Sequence, residues 1–152
     1  MPELDAFLGE WRLSRVIADA RAGHDATLEG RAVFTRGQGG LVQAESGTLN
    51  LPGQSPMTAE RRYLWRAGRA GIDVLFEDGR FFHTLAPGTR AEAVHDCPPD
   101  RYEVAYDFAA WPRWTSLWRV TGPRKDYVMR SVYAPVGACA EGGAGAEDTS
   151  TI

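Results

Sequence analysis

Three charged side chains share strand faces with apolar residues. Alternate residues of a β-strand point to the same side, so Arg15 lies on the same side as Trp11 and Leu13. The same alternation puts Glu45 and Arg61 on the apolar faces of two later segments. Because a buried charge that lacks a partner costs about 3–5 kcal/mol, something must meet each of them. Glu45 could neutralise one arginine, and a bound anion could neutralise the other.

Aromatic residues dominate the faces that carry these charges. A solid core favours Leu, Ile and Val, whereas buried Trp and Tyr need partners for their polar tips. We therefore predict a ligand pocket with a polar floor; the alternative is an internal network of salt bridges, tyrosine hydroxyls and water without a ligand. The candidate ligand-binding residues are Arg15, Glu45, Arg61, Tyr63, Trp65, Phe76, Tyr102, Tyr106, Trp114, Trp118, Tyr127 and Tyr133.

Acid–base catalysis is a second chemistry open to the same face. A catalytic acid or base needs a tuned pKa and must face the substrate. Glu45 beside the arginines, or His83 near Asp78, could take that role, with Tyr63 as a proton donor. Such a set could catalyse an isomerisation, cyclisation or elimination without any cofactor.

A metal or haem site is a third and weaker hypothesis. His83, His95 and Cys97 are the nitrogen and sulfur ligands available to it, and His95-x-Cys97 puts two of them on one strand face. Strong zinc motifs combine two such doublets, and here there is one. We therefore expect no metal and no other cofactor.

Short alternating runs must position these side chains. They recur about every 10 to 15 residues, with Gly, Pro or Asp between them, which is typical of an all-β sandwich or barrel. We predict strands over residues 10–20, 26–36, 40–50, 57–66, 71–77, 80–86, 91–97, 101–109, 113–121 and 126–134. Asp78-Gly79 predicts a two-residue type I′ hairpin, and residues 4–8 predict a short helical turn that plugs one end.

The predicted strands favour a closed barrel. About ten sequential antiparallel strands avoid bare edges by closing on themselves, and a barrel of eight to ten strands can hold one small ligand. The chain of 152 residues fits one domain. We divide it into a barrel over residues 1–134 and a flexible tail over 135–152, where small residues leave little to bury.

Charge and hydropathy exclude several partners. Lys+Arg 17 against Asp+Glu 20 gives a net charge of −3, with the basic residues scattered along the chain, so we expect no nucleic acid. There is no signal-peptide pattern and no apolar run of about 18 residues, so we expect no membrane segment. The protein should be cytoplasmic, with its two cysteines reduced. The sequence predicts no oligomeric state.

Several motifs together carry a family resemblance. Gly9-Glu10-Trp11 is similar to the G-x-W signature of calycins, the group of lipocalins and fatty-acid-binding proteins. With Arg61-x-Tyr63-x-Trp65, Phe76-Glu77-Asp78-Gly79-Arg80 and Gly122-Pro123-Arg124-Lys125-Asp126-Tyr127, the chain to about residue 134 resembles the domain-of-unknown-function 6314 family. Gln43 departs from the tyrosine expected there. The resemblance implies a single antiparallel up-and-down calycin-like barrel, but no established activity.

The sequence thus predicts a lipocalin-like, intracellular protein with a small-molecule ligand. The ligand should be anionic and partly aromatic or apolar, because arginines and aromatic residues share the inward face. The alternatives left open are a cofactor-independent isomerase, cyclase or lyase that uses the same cavity, and metal or haem binding through His83 and His95.

Overall fold

The computed structural model describes residues 1–136, most of which form antiparallel β-strands. A 3-10 turn, Leu4–Phe7, precedes ten strands. They are β1 Gly9–Asp19, β2 His24–Gly37, β3 Gly40–Asn50, β4 Met57–Gly68, β5 Gly71–Phe76, β6 Phe81–Leu85, β7 Arg90–Cys97, β8 Asp100–Asp107, β9 Trp114–Gly122 and β10 Lys125–Pro135. Each predicted strand is confirmed, with its ends within two residues of the prediction. The predicted tail lies outside the described residues from position 137 onward.

The strands form an up-and-down barrel that is nearly closed. Their order is β6-β5-β4-β3-β2-β1-β10-β9-β8-β7, so strands that follow one another in sequence pair, except β6 with β7, and β1 also pairs with β10. Within the described residues, β6 and β7 are the two strands that lack a hydrogen-bonded neighbour on one side. The all-β antiparallel barrel predicted from the sequence is confirmed. No helix among residues 1–136 is long and apolar enough to cross a membrane.

The β2–β3 and β5–β6 hairpins use different turns. Gly37 pairs with Gly40 around Gln38 and Gly39, which have positive φ angles of 55° and 79°, as a type I′ turn requires. The predicted type I′ turn at Asp78-Gly79 is wrong, because only Gly79 has a positive φ, 92°. The backbone N–H of Gly79 bonds to Phe76 O at 2.9 Å, which makes a three-residue loop.

Asp78 itself explains the longer loop. Its Oδ1 accepts the backbone N–H of Arg80 at 3.0 Å, and its Oδ2 accepts Arg80 Nε at 2.7 Å. Asp side chains stabilise turns by such bonds to the backbone two residues on. The side chain thus closes the turn without the positive φ that a type I′ turn would demand of Asp78.

The 3-10 turn plugs one end of the barrel, which we call the closed end; β1 begins there. Phe7 is fully buried and touches a ring of aromatic side chains at centroid distances of 5.0–5.8 Å. The ring consists of Phe34, Trp65, Phe108, Trp111 and Trp114. The indole N–H of Trp11 donates to Phe7 O at 2.9 Å. At the opposite end, the open end, β1 ends and β2 begins.

Removing the plug should destabilise the barrel strongly. We expect Phe7→Ala to lower the free energy of unfolding by about 3–5 kcal/mol, because it leaves a cavity among closely packed rings. Phe81→Ala is the matched control, since Phe81 is 54% exposed, and should change it by less than about 1 kcal/mol. Urea unfolding followed by tryptophan fluorescence measures both, and equal losses would contradict the role of the plug.

Candidate functional site: the open end of the barrel

Two of the three inward-facing charges, Arg15 and Glu45, form a buried ion pair. Each is 4% exposed, and Arg15 Nη2 lies 3.0 Å from Glu45 Oε1. Glu45 Oε1 meets only this guanidinium among the described residues. Arg15 also donates from Nε to Ser131 Oγ at 2.7 Å and from Nη2 to Tyr133 Oη at 3.1 Å. The predicted internal partner of Arg15 is therefore Glu45.

Neutral side chains complete the environment of Glu45. Its Oε2 accepts the hydroxyl of Tyr133 at 2.5 Å and Gln43 Nε2 at 3.0 Å. Gln43 in turn accepts the indole N–H of Trp65 at 2.7 Å. Burial and the charge of Glu45 raise the pKa of Tyr133 well above its usual value, so Tyr133 stays a hydrogen-bond donor. The floor of the barrel is thus a connected polar network.

Arg61 has no such partner. It lies directly across from Glu45 in the pairing of β3 with β4, it is half-buried, and its Nη1 donates to Tyr63 Oη at 3.4 Å. Its guanidinium forms no ion pair with any carboxylate of residues 1–136. Burial raises the pKa of Tyr63 above its ordinary value against the attraction of Arg61. Of the two inward arginines, Arg15 has a carboxylate partner and Arg61 has none within residues 1–136.

Half-exposed aromatic residues lie at the open end, as Arg61 does. The inward residues here are partly accessible, unlike those near the plug. Ring centroids lie 6.5 Å apart for Tyr63 and Phe76, 5.8 Å for Phe76 and His95, and 6.1 Å for His95 and Tyr102. We call this region the open-end cup, formed by Arg61, Tyr63, Phe76, His95, Tyr102 and Tyr127.

The other predicted binding residues pack in the interior. They are at most 6% exposed: Arg15, Glu45, Trp65, Tyr106, Trp114, Trp118 and Tyr133. Trp114 stacks on Tyr133 with ring centroids 3.8 Å apart and planes 7° apart. The structure therefore separates the predicted set into a packed interior group and the accessible group of the cup.

The predicted acid–base set is not brought together as expected. His83 is 2% exposed, and its Nε2 lies 3.1 Å from Tyr106 Oη rather than near Asp78. Asp78 sits in the exposed turn with Arg80. Burial, with a smaller contribution from the charge of His95, lowers the pKa of His83 to about 3, so its imidazole is neutral at physiological pH. Glu45 is held in its ion pair with Arg15.

The predicted metal ligands do not form a metal-binding cluster in the described residues. Among residues 1–136, no three His, Cys, Asp or Glu side chains are grouped so as to hold a metal ion. His95 faces the cup between Phe76 and Tyr102. Cys97 ends β7 as a half-buried free thiol. The alternative site at His83, His95 and Cys97 is therefore not supported by the structure.

Sequence reasoning missed two contributors to the site. Phe82 is 1% exposed and stacks on Phe76 with ring centroids 4.5 Å apart and planes 15° apart. Gln43 was noted only as a departure from a family pattern, yet it joins Trp65 to Glu45. For Gln43, the signal was available in its position on the same strand face as Glu45.

A comparison with known protein families identifies the chain. Residues 7–135 match the family described as "Family of unknown function (DUF6314)". The chain belongs to this family. The predicted resemblance is thereby confirmed, and the geometry above describes a DUF6314 barrel. No curated protein matches the chain.

A solved structure supports the fold independently. The S-type phycobiliprotein lyase from Guillardia theta superposes on this DUF6314 chain with a TM-score of 0.51 and 11% sequence identity. The match covers 86% of this chain and 87% of the lyase chain. At that identity the likeness concerns the barrel fold alone.

Removing one partner of the interior ion pair should lower the free energy of unfolding more than removing both partners. We expect Glu45→Gln to lower the free energy of unfolding by about 3–5 kcal/mol, because it leaves Arg15 charged and buried. The double variant Arg15→Met, Glu45→Gln should lose less than Glu45→Gln alone, since it also removes the stranded charge. Urea unfolding measures both.

The matched control is an exposed ion pair. Arg36 and Asp5 are 66% and 64% exposed, so Asp5→Asn should cost about 0–1 kcal/mol. If the double variant lost as much stability as the sum of the losses in Glu45→Gln and in Arg15→Met alone, the Arg15 charge would not be coupled to Glu45.

Because of His83, the free energy of unfolding should decrease as the pH is lowered. Above about pH 6.5 neither state binds a proton at His83, but between pH 6.5 and about 3 only the unfolded chain does. This residue should therefore remove roughly 1.4 kcal/mol for each pH unit as the pH falls through that window. His83→Gln should flatten the dependence of unfolding free energy on pH relative to His24→Gln; an unchanged slope in the His83 variant would contradict the buried neutral imidazole.

Proposed function

We propose that the barrel binds a small anionic molecule with an aromatic or apolar body in the open-end cup. The observation that carries this proposal is that only one of the two inward arginines has a carboxylate partner. Arg15 is neutralised by Glu45, whereas Arg61 has no carboxylate partner within the described chain and is partly accessible from the open end. A guanidinium is a planar fork of donors that suits carboxylate, phosphate or sulfonate.

The walls of the cup suit the rest of such a ligand. Tyr63, Phe76, Tyr102 and Tyr127 are half-exposed aromatic residues that pack against the core. Ligand sites are typically lined by apolar and aromatic side chains, with few polar groups that fix orientation. Arg61 and the hydroxyl of Tyr63 would orient the anionic group, while the rings would cover its apolar body.

Binding is favoured over cofactor-free catalysis. A general base must reach the substrate, and Glu45 is enclosed by Arg15, Tyr133 and Gln43. His83 is neutral and buried against Tyr106. The structural neighbour is a phycobiliprotein lyase, so a barrel of this kind can serve an enzyme. Here Glu45 and His83, the two bases predicted from the sequence, are buried and do not line the cup.

The proposal is tested with two fluorescent probes that differ by one charged group. 8-Anilino-1-naphthalenesulfonate is an anion, and N-phenyl-1-naphthylamine is the same ring system without the sulfonate. We expect Arg61→Met to raise the Kd of the anion about tenfold, because a charge-assisted hydrogen bond contributes about 1.5–3 kcal/mol. The Kd of the neutral probe should change less than about twofold.

The control removes an equal charge elsewhere. Arg130 is exposed on the outer face of β10, so Arg130→Met should leave both Kd values unchanged within about twofold. Near-ultraviolet circular dichroism verifies that each variant keeps its packed aromatic core. If Arg61→Met weakened both probes equally, or neither, the open-end cup would not be an anion site.

A further inference from the structure

The wall of the barrel has a lateral opening beside the cup. Pairing between β4 and β5 stops at Tyr63 and Phe76, so residues 57–62 of β4 have no strand on that side. A hollow of about 510 Å³ lies between this free edge and the β5–β6 turn. We call it the side notch; it is lined by Arg61, Arg62, Tyr63, Phe76, Glu77, Asp78 and Arg80.

Phe76 offers the side notch a flat apolar surface. One side of its ring stacks on buried Phe82, with centroids 4.5 Å apart and planes only 15° apart. Its ring also meets the guanidinium of Arg80, whose Cζ lies 5.3 Å from the centroid. Phe76 is only half-buried, so a planar ligand could extend the stack on the face that Arg80 covers, once Arg80 moves aside.

Arg80 is held weakly where it is. Its side chain is 70% exposed, and its ion pair is with Asp78, itself 57% exposed, at 2.7 Å. An exposed pair contributes little to stability, because water and salt screen both charges. Arg80 can therefore exchange Asp78 for an anion placed deeper in the notch at little cost, whereas Arg61 has no partner to give up.

We propose that the side notch selects aromatic oxyanions, such as aryl carboxylates, sulfonates or phosphates. The ring of the ligand stacks on Phe76, its anionic group lies between Arg61 and Arg80, and Arg80 leaves Asp78 to reach it. This inference rests on the proposed anion site at Arg61 and adds two specificity-determining residues, Phe76 and Arg80. It distinguishes flat anions from aliphatic ones of equal charge.

The selectivity for a ring is tested by isothermal titration calorimetry with 8-anilino-1-naphthalenesulfonate and 1-octanesulfonate. We expect Phe76→Leu to raise the Kd of the aromatic sulfonate about three- to tenfold, the range of an aromatic pair. The Kd of the aliphatic sulfonate should stay within about twofold. Phe81→Leu is the matched control, because Phe81 is exposed outside the notch, and should change neither.

The exchange of partners by Arg80, from Asp78 to the bound anion, is what we call the handover. It is tested by a double-mutant cycle with the aromatic sulfonate. Arg80→Ala should raise the Kd about fivefold, since one of the two arginines at the anion is lost. Asp78→Asn should lower the Kd about two- to threefold, because Arg80 no longer has a competing charge. The amide can still accept the backbone N–H that closes the turn. In the Arg80→Ala background, Asp78→Asn should have no effect.

The outcomes separate this inference from the proposed function. If Phe76→Leu weakens both sulfonates equally, selection for a ring is wrong. If Asp78→Asn strengthens binding equally with and without Arg80, its effect is long-range repulsion and the handover is wrong. Either result leaves the effect of Arg61→Met intact. A wild-type protein that binds neither sulfonate would overturn both the proposed function and the side notch.

Discussion

The buried ion pair of Arg15 with Glu45 is the interaction on which the interior depends. Arg15 lies on β1 and Glu45 on β3, and β2 runs between them. Ser131 and Tyr133 on β10 bind the same guanidinium, so the network joins strands on both sides of β1. A charge taken from water requires geometry of this quality to be tolerated. Because Glu45 is used here, it is not available to Arg61.

The barrel is consequently divided into two halves with different tasks. Near the closed end, Phe7 is surrounded by rings that fill the interior, and the stacked pair of Trp114 and Tyr133 continues this packing to the ion pair. Beyond the ion pair, several inward residues, among them Arg61, Tyr63 and Tyr102, are only half-buried. The solid half provides the burial that stabilises the fold, which leaves the open half free to expose Arg61 and aromatic surface to a ligand.

Alternation in the sequence was sufficient to predict the strands and the inward faces, but not the partners across the barrel. Arg61 is directly opposite Glu45 in the register, yet the ion pair is made by Arg15, whose long side chain reaches across β2. Strand alternation also could not predict that His83 lies in the interior. A register shift after Val74 disturbs the pairing of β5 with β6, and consecutive Phe82 and His83 are both buried. A strict period of two cannot place both.

The position of Arg61 is compatible with folding both without and with the proposed anionic ligand. An unpaired guanidinium at the depth of Arg15 would carry the full cost of lost hydration. Arg61 is half-exposed and touches the hydroxyl of Tyr63, so water can still solvate it when no ligand is present. An anion that excludes this water meets a charge in a less polar setting, where attraction is stronger. A charge near the rim can thus hold a ligand without requiring one for folding.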